Sequence, residues 1–534
     1  MADIDTLNLN NNLLIPDFAF KGIPKIKIPK NDSDFAGKDL GINIIAKYLP
    51  RILSKHKKNA SKIKYLYEYY QGQQDIYSKI RLRQKDQNNN NRVVENHALR
   101  QVDFKVGFLT SEHREYTAKT RFKGNENVLN DLAVLSDYFT DCDFFGKDKE
   151  VKEWVYSVGV GVFKCYPRTD IIVGEDKNAV IREDFDIESE APFYLEAVSP
   201  INNFVVYSDN NIPLFCVSIV EVEKDINSSN LRFEKKIYIE TRYATFVTNS
   251  NLSFGGIRQI RLKSEKSPYN YLPMVEQWAN TSRIGIVELN RDLFNIINTI
   301  VSCVSDMIVD NANMIYVFQG TDISGEEVQA MIKAGAIVLP PPQQTGQTPS
   351  VTTITIQIPF DGLNEFYLQR VEKAYDIAGV PLASGQVTSG GDTGQARLLG
   401  GGWNNAYTIS KNEINSFLYA DNSLLKLILY ICKLFNTCPI KTIKASNIEI
   451  KYRINQSDNF LVKAQGIAQL YSTNMPKELI LKFSGISSDI GTDATVWEKY
   501  ETEKNKSQQS TEETIKVEET TTDNDEKQND NSQE

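Results

Sequence analysis

The sequence predicts an α+β protein, and three observations carry that prediction. Residues 158–278 are crowded with short β-branched and aromatic runs broken by Pro, Asn, Asp and Ser, such as "GVGVFKCYP", "NFVVYSD", "LFCVSIVEVE" and "KKIYIETRYATFVTN". These read as a mostly antiparallel sheet region. Helical periodicities lie on both sides of it. Beyond residue 281, apolar residues recur at Ile286, Leu289, Leu293, Ile296, Ile300, Cys303 and Met307 in steps of three and four. Those steps draw one apolar stripe along a helix of about 30 residues, about 45 Å long.

The elements follow in order. Residues 1–35 read as an extended arm, because "KGIPKIKIPK" alternates lysine with apolar residues and carries prolines that forbid helix. Helices are predicted over 40–56, 61–70, 96–108, 129–139 and 149–157, and then comes the sheet region. The long helix carries a second stripe, Glu288, Asp292, Asn295, Thr299, Ser302 and Asp306, which is polar or acidic and holds no lysine or arginine. After it, "MIYVFQG" reads as a strand and "SGEEVQAMIKAG" as a short helix capped by Ser324. A strand, a proline turn and a strand complete a small α/β insertion over 314–360. A helix over 363–378 leads into "GVPLASGQVTSGGDTGQ", and a further helix over 394–435 meets Gly400, Gly401 and Gly402, which kink or unwind it. "SNIEIKYRI" is a strand, and short helices are expected over 457–472, 476–484 and 494–504.

Size and composition bound the function. A chain of 534 residues with 41% apolar and 24% charged residues is large enough for two or three globular domains. No uninterrupted apolar run has the length of a membrane span, and the acidic, polar start MADIDTLNLN is not a secretory signal. Cys142, Cys165, Cys216, Cys303, Cys432 and Cys438 form no CxxC pair and read as free thiols. His56, His97 and His113 stand without a metal-ligand spacing. Residues 506–534 carry nine acids against three lysines, with almost nothing apolar to bury, and are expected to be a disordered acidic tail. Residues 21–64 carry twelve basic against three acidic residues, a solvated surface or a contact for nucleic acid or an acidic partner.

The glycine-rich stretch 379–402 invites a nucleotide-loop reading, and the residues reject it. Gly385 and Gly390 have the phosphate-loop spacing, but Gly391 stands where the phosphate-reaching lysine belongs. A dinucleotide fingerprint follows a strand, whereas a helix precedes this one. The residues from 380 to 396 include no lysine or arginine, and Ser384, Gln386, Thr388, Ser389, Asp392 and Thr393 make the loop small, polar and non-basic. No catalytic motif, metal site or cofactor site emerges.

Six motifs in order resemble the portal proteins of tailed bacteriophages, in particular the siphophage-type portal family. They are "NNRVVEN" (90–96), "VGFLTS" (106–111), "FVVYSDN" (204–210), "YLPMVEQWAN" (271–280), "IYVFQG" (315–320), and "YDIAGVP" followed by "DTGQARLL". The resemblance spans about residues 60–505. It departs at Thr393, where the family has serine, at Gly400–Gly402, and in the N-terminal arm, which has no counterpart in the family.

The resemblance implies a portal fold assembled as a ring of about twelve copies at one capsid vertex, with double-stranded DNA passing non-specifically through its axial channel. In that scheme 36–280 is the wing, 281–313 the stem helix, 314–360 the clip, 361–379 the second stem helix and 380–393 the tunnel loop. Residues 394–456 are a long kinked helix and a wing strand, and 457–505 the crown. It implies as partners the terminase large subunit, a head-tail adaptor, and major capsid and scaffolding proteins, with no membrane, no cofactor and no enzymatic activity. The stem's polar stripe is then expected to face the channel, with Ile286, Leu289, Leu293, Ile296, Ile300 and Met307 packing helices together. The loop residues from Ser384 to Thr393 would touch passing DNA. Another ring or pore assembly is the rival structural reading, and a nucleotide-dependent DNA motor the enzymatic one.

Overall fold

The computed structural model describes residues 21–36, 38–78, 91–168, 185–223, 233–249, 271–312, 359–382, 403–454, 460–473 and 496–502, with shorter pieces at 170, 172–173, 180–181, 258–260, 315–319, 323–334, 337, 350–354, 475–477 and 479–480. Two compact units divide it, 1–455 and 456–534.

The first unit opens with β1 (Ile26–Ile28), α1 (Lys38–Tyr70), α2 (His97–Thr110), β2 (Glu115–Ala118), α3 (Glu126–Asp141) and α4 (Phe144–Val158). The strand region follows: β3 (Gly161–Pro167), β4 (Ile172–Val173), β5 (Val180–Ile181), β6 (Phe193–Val198), β7 (Asn203–Ser208), β8 (Pro213–Glu223), β9 (Phe233–Thr241), β10 (Thr245–Asn249), β11 (Arg258–Ile260) and β12 (Met274–Gln277). Then come α5 (Ile286–Ala312), β13 (Ile315–Gln319), α6 (Gly325–Ala334), β14 (Ser350–Ile354), α7 (Phe360–Ala378), α8 (Trp403–Leu434) and β15 (Ile448–Lys451). The second unit holds α9 (Phe460–Ser472) and a short helix over 496–502. There Tyr471 stacks on Trp497, and its hydroxyl donates to Glu501 at 2.8 Å.

The mixed architecture is the predicted α+β. A six-stranded sheet runs β1-β7-β8-β9-β10-β11, antiparallel except where β1 lies parallel to β7, with Ile26 opposite Val206. A three-stranded sheet runs β12-β3-β6. The run "FVVY" is apolar throughout because β7 is covered on both faces. Phe204 and Val206 join the cluster under α1 with Leu49, Ile52 and Phe215, while Val205 and Tyr207 join Met274 and Cys216 on the other face. In the insertion, β13 and β14 form an antiparallel pair. Ser324 caps α6 as predicted: its hydroxyl accepts from Glu327 N at 3.4 Å, and the Glu327 carboxylate accepts from Ser324 N at 3.0 Å.

Three expectations are corrected here. Residues 26–28 are not a free arm; Ile23, Ile26 and Ile28 are buried, and β1 completes the large sheet. The helices expected over 40–56 and 61–70 are one 33-residue helix, α1. "SKHKKNAS" lacks glycine and proline, and its polar groups have partners on neighbouring segments: His56 stacks on Phe204 at 3.7 Å between centroids and bonds to Ile201 O at 2.7 Å, while Asn59 donates to Pro24 O at 2.9 Å. The basic run is not wholly a solvated face either, since Lys62 is buried. Finally, strand β2 carried no strong alternation and escapes sequence reading; it exists because β15 pairs with it from Glu115 to Ala118.

Buried charges tie distant segments of this core together. Arg114, just before β2, reaches Asp148 of α4 at 2.5 Å and Asp421 of α8 at 2.6 Å. Lys152 of α4 donates to Gln277 of β12 at 2.7 Å and lies 3.7 Å over the Phe417 ring. Gln277 donates in turn to Asp421 at 2.6 Å, as does the Tyr452 hydroxyl at 2.5 Å. Two cations thus face two carboxylates in a site without water access. Burial pulls the Lys152 ammonium below its ordinary value, against the pull of Asp148 and Asp421. For Arg114 burial acts the same way, but the two carboxylates outweigh it and raise the guanidinium above its usual value.

Candidate stem surface

The long helix α5 is launched by a turn that only certain residues can make. Asn280 bridges it, donating to Ile284 O at 2.8 Å and accepting from Ile284 N at 3.0 Å. The α4 C-terminus crosses this turn at Gly159, which sits at φ +99°; a Cβ there would lie 2.2 Å from Arg283 O. Only glycine fits that crossing. Arg283, at the turn before α5, is buried, with its guanidinium 3.0 Å from Glu276. Along its length α5 packs on α7, and Asn290 pins the pair by donating to Ala374 O at 2.7 Å and to Gln101 at 3.0 Å.

The polar stripe of α5 does not face outward. Glu288, Ser302 and Asp306 are 5%, 0% and 2% exposed, so the expectation that they line a channel fails for these three. Glu288 receives the Lys62 ammonium at 2.6 Å and Gly22 N at 3.0 Å. Asn295 accepts from the Tyr69 hydroxyl at 3.0 Å and donates to Asp75 at 2.8 Å. Thr299 donates its hydroxyl to Asn295 O within the helix. Asp292 alone of the stripe is well exposed, with Arg291 folded onto it at 2.9 Å.

The far half of the stripe holds an extended segment. Asn91 N donates to Asp306 at 2.8 Å, Val93 N to Ser302 at 3.0 Å, and Glu95 N to Asn298 at 3.0 Å. Four helical residues rise about 6.0 Å and two extended residues about 6.6 Å, so every second strand amide meets every fourth helix side chain. A helix here serves as one edge of a ladder. Asn96 ends the segment by capping α2, accepting from Leu99 N at 3.2 Å, and the Glu95 carboxylate accepts the Tyr367 hydroxyl of α7 at 2.6 Å. Replacing Ser302 by alanine is expected to strand the Val93 amide at a cost of about 1–3 kcal/mol. Faster hydrogen exchange across 91–95 and a lower urea midpoint would report it; unchanged exchange at Val93 would overturn the ladder.

The apolar stripe is the open one. Ile286 is buried, Leu289, Leu293, Ile300, Cys303 and Met307 are half-buried, and Ile296 is 40% exposed. Besides Ile286 and the buried part of the polar stripe, α5 buries Val287, Phe294 and Ile297, together with Asn290 and Asn298. Ile308 and Val309 near the end of α5 are exposed as well, and so are Phe360, Phe366 and Leu368 on α7. Between the two helices lies a groove of about 520 Å³, bordered by Ile300, Val304, Phe360, Leu363 and Tyr367. The segment Ile286–Val309 is long and apolar enough on average to cross a membrane, but its inner face carries the bonded polar groups just described.

On α7, Asp361, Glu365, Gln369, Glu372 and Asp376 recur in steps of three and four, all exposed. Of the two cations among them, Lys373 is held by Asp376 at 2.9 Å and Arg370 lies over the Phe366 ring. The helix ends at Gly379, φ +62°, where a Cβ would strike Ile409 Cδ1 at 2.3 Å. Ser384, Gln386, Thr388, Ser389, Asp392 and Thr393, expected to touch DNA, and Gly400–Gly402, expected to kink a helix, lie outside the described residues; α8 is described from Trp403. Among the described residues no group of His, Cys, Asp and Glu could hold a metal ion.

The motifs of the sequence now have places. "NNRVVEN" supplies the laddered segment, "FVVYSDN" is β7 and the turn after it, "YLPMVEQWAN" is β12 and the approach to α5, and "YDIAGVP" closes α7. Residues 49–510 match the family described as phage portal protein, SPP1 Gp6-like. The chain belongs to this phage portal protein family. Among curated proteins no match is found. A portal-family protein is a structural component of the phage head, and such proteins are generally not enzymes. In this chain the family stretch "NNRVVEN" is bonded along α5.

Proposed function

We propose that this portal-family chain assembles into a ring of about twelve copies at one capsid vertex, and that double-stranded DNA is packaged by terminase, retained, and released to the tail through its bore. The observation that carries this reading is the open apolar face of α5 and α7. Ile296 on the α5 stripe is 40% exposed and Phe360 at the groove is 50% exposed, and Ile308, Leu368 and Phe366 add exposed apolar side chains at 53%, 47% and 45% on the same two helices. A monomer rarely leaves such a patch in water, and a closed ring with a heterologous interface covers it on every copy.

The channel wall in this reading is α7 rather than α5. Its exposed stripe of Asp361, Glu365, Glu372 and Asp376 repels phosphates, and the neighbouring Lys373 is already neutralised. A wall that releases no counterions from DNA gives the duplex no grip. Residues 314–360 then form the clip, and 380–393 remain the proposed tunnel loop. Terminase, adaptor, capsid and scaffolding proteins are the partners such a ring requires. Negative-stain imaging and mass photometry of the purified chain test it: the expected result is rings with a central hole. A particle that stays monomeric at every concentration would contradict it.

A further inference from the structure

A second recess lies away from the stem helices, between β12, the turn joining β7 to β8, and α8. It holds about 670 Å³, within the range of ligand-binding clefts. Aromatic side chains form its walls: Tyr207, Tyr271, Trp278 and Tyr419, the last 63% exposed at the mouth. Lys25, Lys426 and Arg242 bring positive charge.

The charges are unevenly satisfied. Arg242 is paired with Asp32 at 2.6 Å. Glu276, the acid of the recess, is committed to Val205 N at 3.0 Å, the Tyr207 hydroxyl at 2.8 Å and Arg283 at 3.0 Å. Lys25 and Lys426 form no ion pair among the described residues. The Lys25 ammonium instead lies 4.6 Å from the Tyr207 ring centre and 4.2 Å from that of Trp278. Burial, and then Arg283 nearby, pull it below its ordinary value. The recess is thus short of two carboxylates, in a place where apolar surface also waits for a partner.

The geometry points to a docking site for an acidic segment of a protein partner, one that sets carboxylates on Lys25 and Lys426 and an aromatic or branched side chain against Tyr271, Trp278 and Tyr419. A carboxylate at Lys25 would relieve the cost of holding a partly desolvated ammonium without a counter-ion. Aromatic walls give the anchor its affinity. Nucleic acid fits less well: two cations neutralise too few phosphates to hold a strand firmly.

The test uses the full chain and fluorescence anisotropy, in whatever oligomeric state it adopts, so its outcome is independent of ring formation. The probe is a short labelled peptide in which glutamates alternate with phenylalanine and leucine; its glutamine counterpart and a short DNA duplex are run beside it. The acidic peptide is expected to saturate, to weaken as salt rises, and to bind about ten-fold more tightly than the glutamine peptide. Lys25→Gln with Lys426→Gln should abolish that preference. Lys426 is exposed on α8, so Lys426→Gln alone, which leaves the fold undisturbed, should reduce it measurably. Equal binding of both peptides, or indifference to the substitutions, overturns the proposal. Binding of the duplex alone that these lysines govern also overturns it and makes the recess a nucleic-acid contact.

Discussion

Replacing Arg114 by methionine should cost this fold about 3–5 kcal/mol, the usual penalty for breaking a buried ion pair from one side. Asp148 and Asp421 would lose their shared guanidinium, leaving Lys152 as the one cation facing two buried carboxylates. Methionine keeps the aliphatic stem of the side chain, so most of the loss is electrostatic rather than a cavity. The segments that part company are far apart in sequence: the start of β2, α4, β12, α8 and Tyr452. Arg114→Lys keeps the charge but cannot span both acids, and should fall between wild type and methionine. Urea unfolding followed by far-UV circular dichroism reads the ordering. A shift of a few tenths of a kcal/mol, as for a surface substitution, would show that the network contributes no more than its shape.

Aspartate at Ile296 and Ile308 should abolish ring assembly while leaving the subunit folded. Both side chains are already solvent-accessible in the single chain, so the charge costs the isolated subunit little. In the proposed ring it would sit unpaired in an apolar contact, at a cost of about 3–5 kcal/mol per contact, or a hundred-fold or more in each subunit association. Mass photometry should show monomers, with a circular dichroism spectrum like that of wild type. Rings that persist with the double substitution would remove the α5 face from the subunit interface. Alanine at Ser302 is the internal comparison: it weakens the ladder inside the chain and should leave assembly largely intact.

Periodicity in the sequence revealed a long helix with an apolar and a polar side, and it placed that helix within a few residues of its observed ends. It did not reveal which side faced inward. The default assignment buries the apolar stripe, whereas here Glu288, Asn298, Ser302 and Asp306 face in because they have partners elsewhere in the chain. Those partners, Lys62 and the amides of residues 91–95, lie about two hundred residues upstream, beyond the reach of any window along the chain. The long α1 was split in reading for a related reason: a lysine-rich stretch reads as a loop until Ile201, Phe204 and Pro24 are seen taking up its polar groups.

The sequence by itself determined the α+β class, the order of helices and strands, and a run of motifs specific enough to identify the family. These are properties of local periodicity, of turn chemistry, and of short patterns that survive without knowledge of contacts. Tertiary structure alone decided which stripe of α5 is spent inside the chain and which is left open, and that Arg114 and Lys152 meet their acids in the core. The reason is physical: a polar group prefers the interior only when a partner waits there, and partners are set by how distant segments pack, not by what stands beside them in the chain.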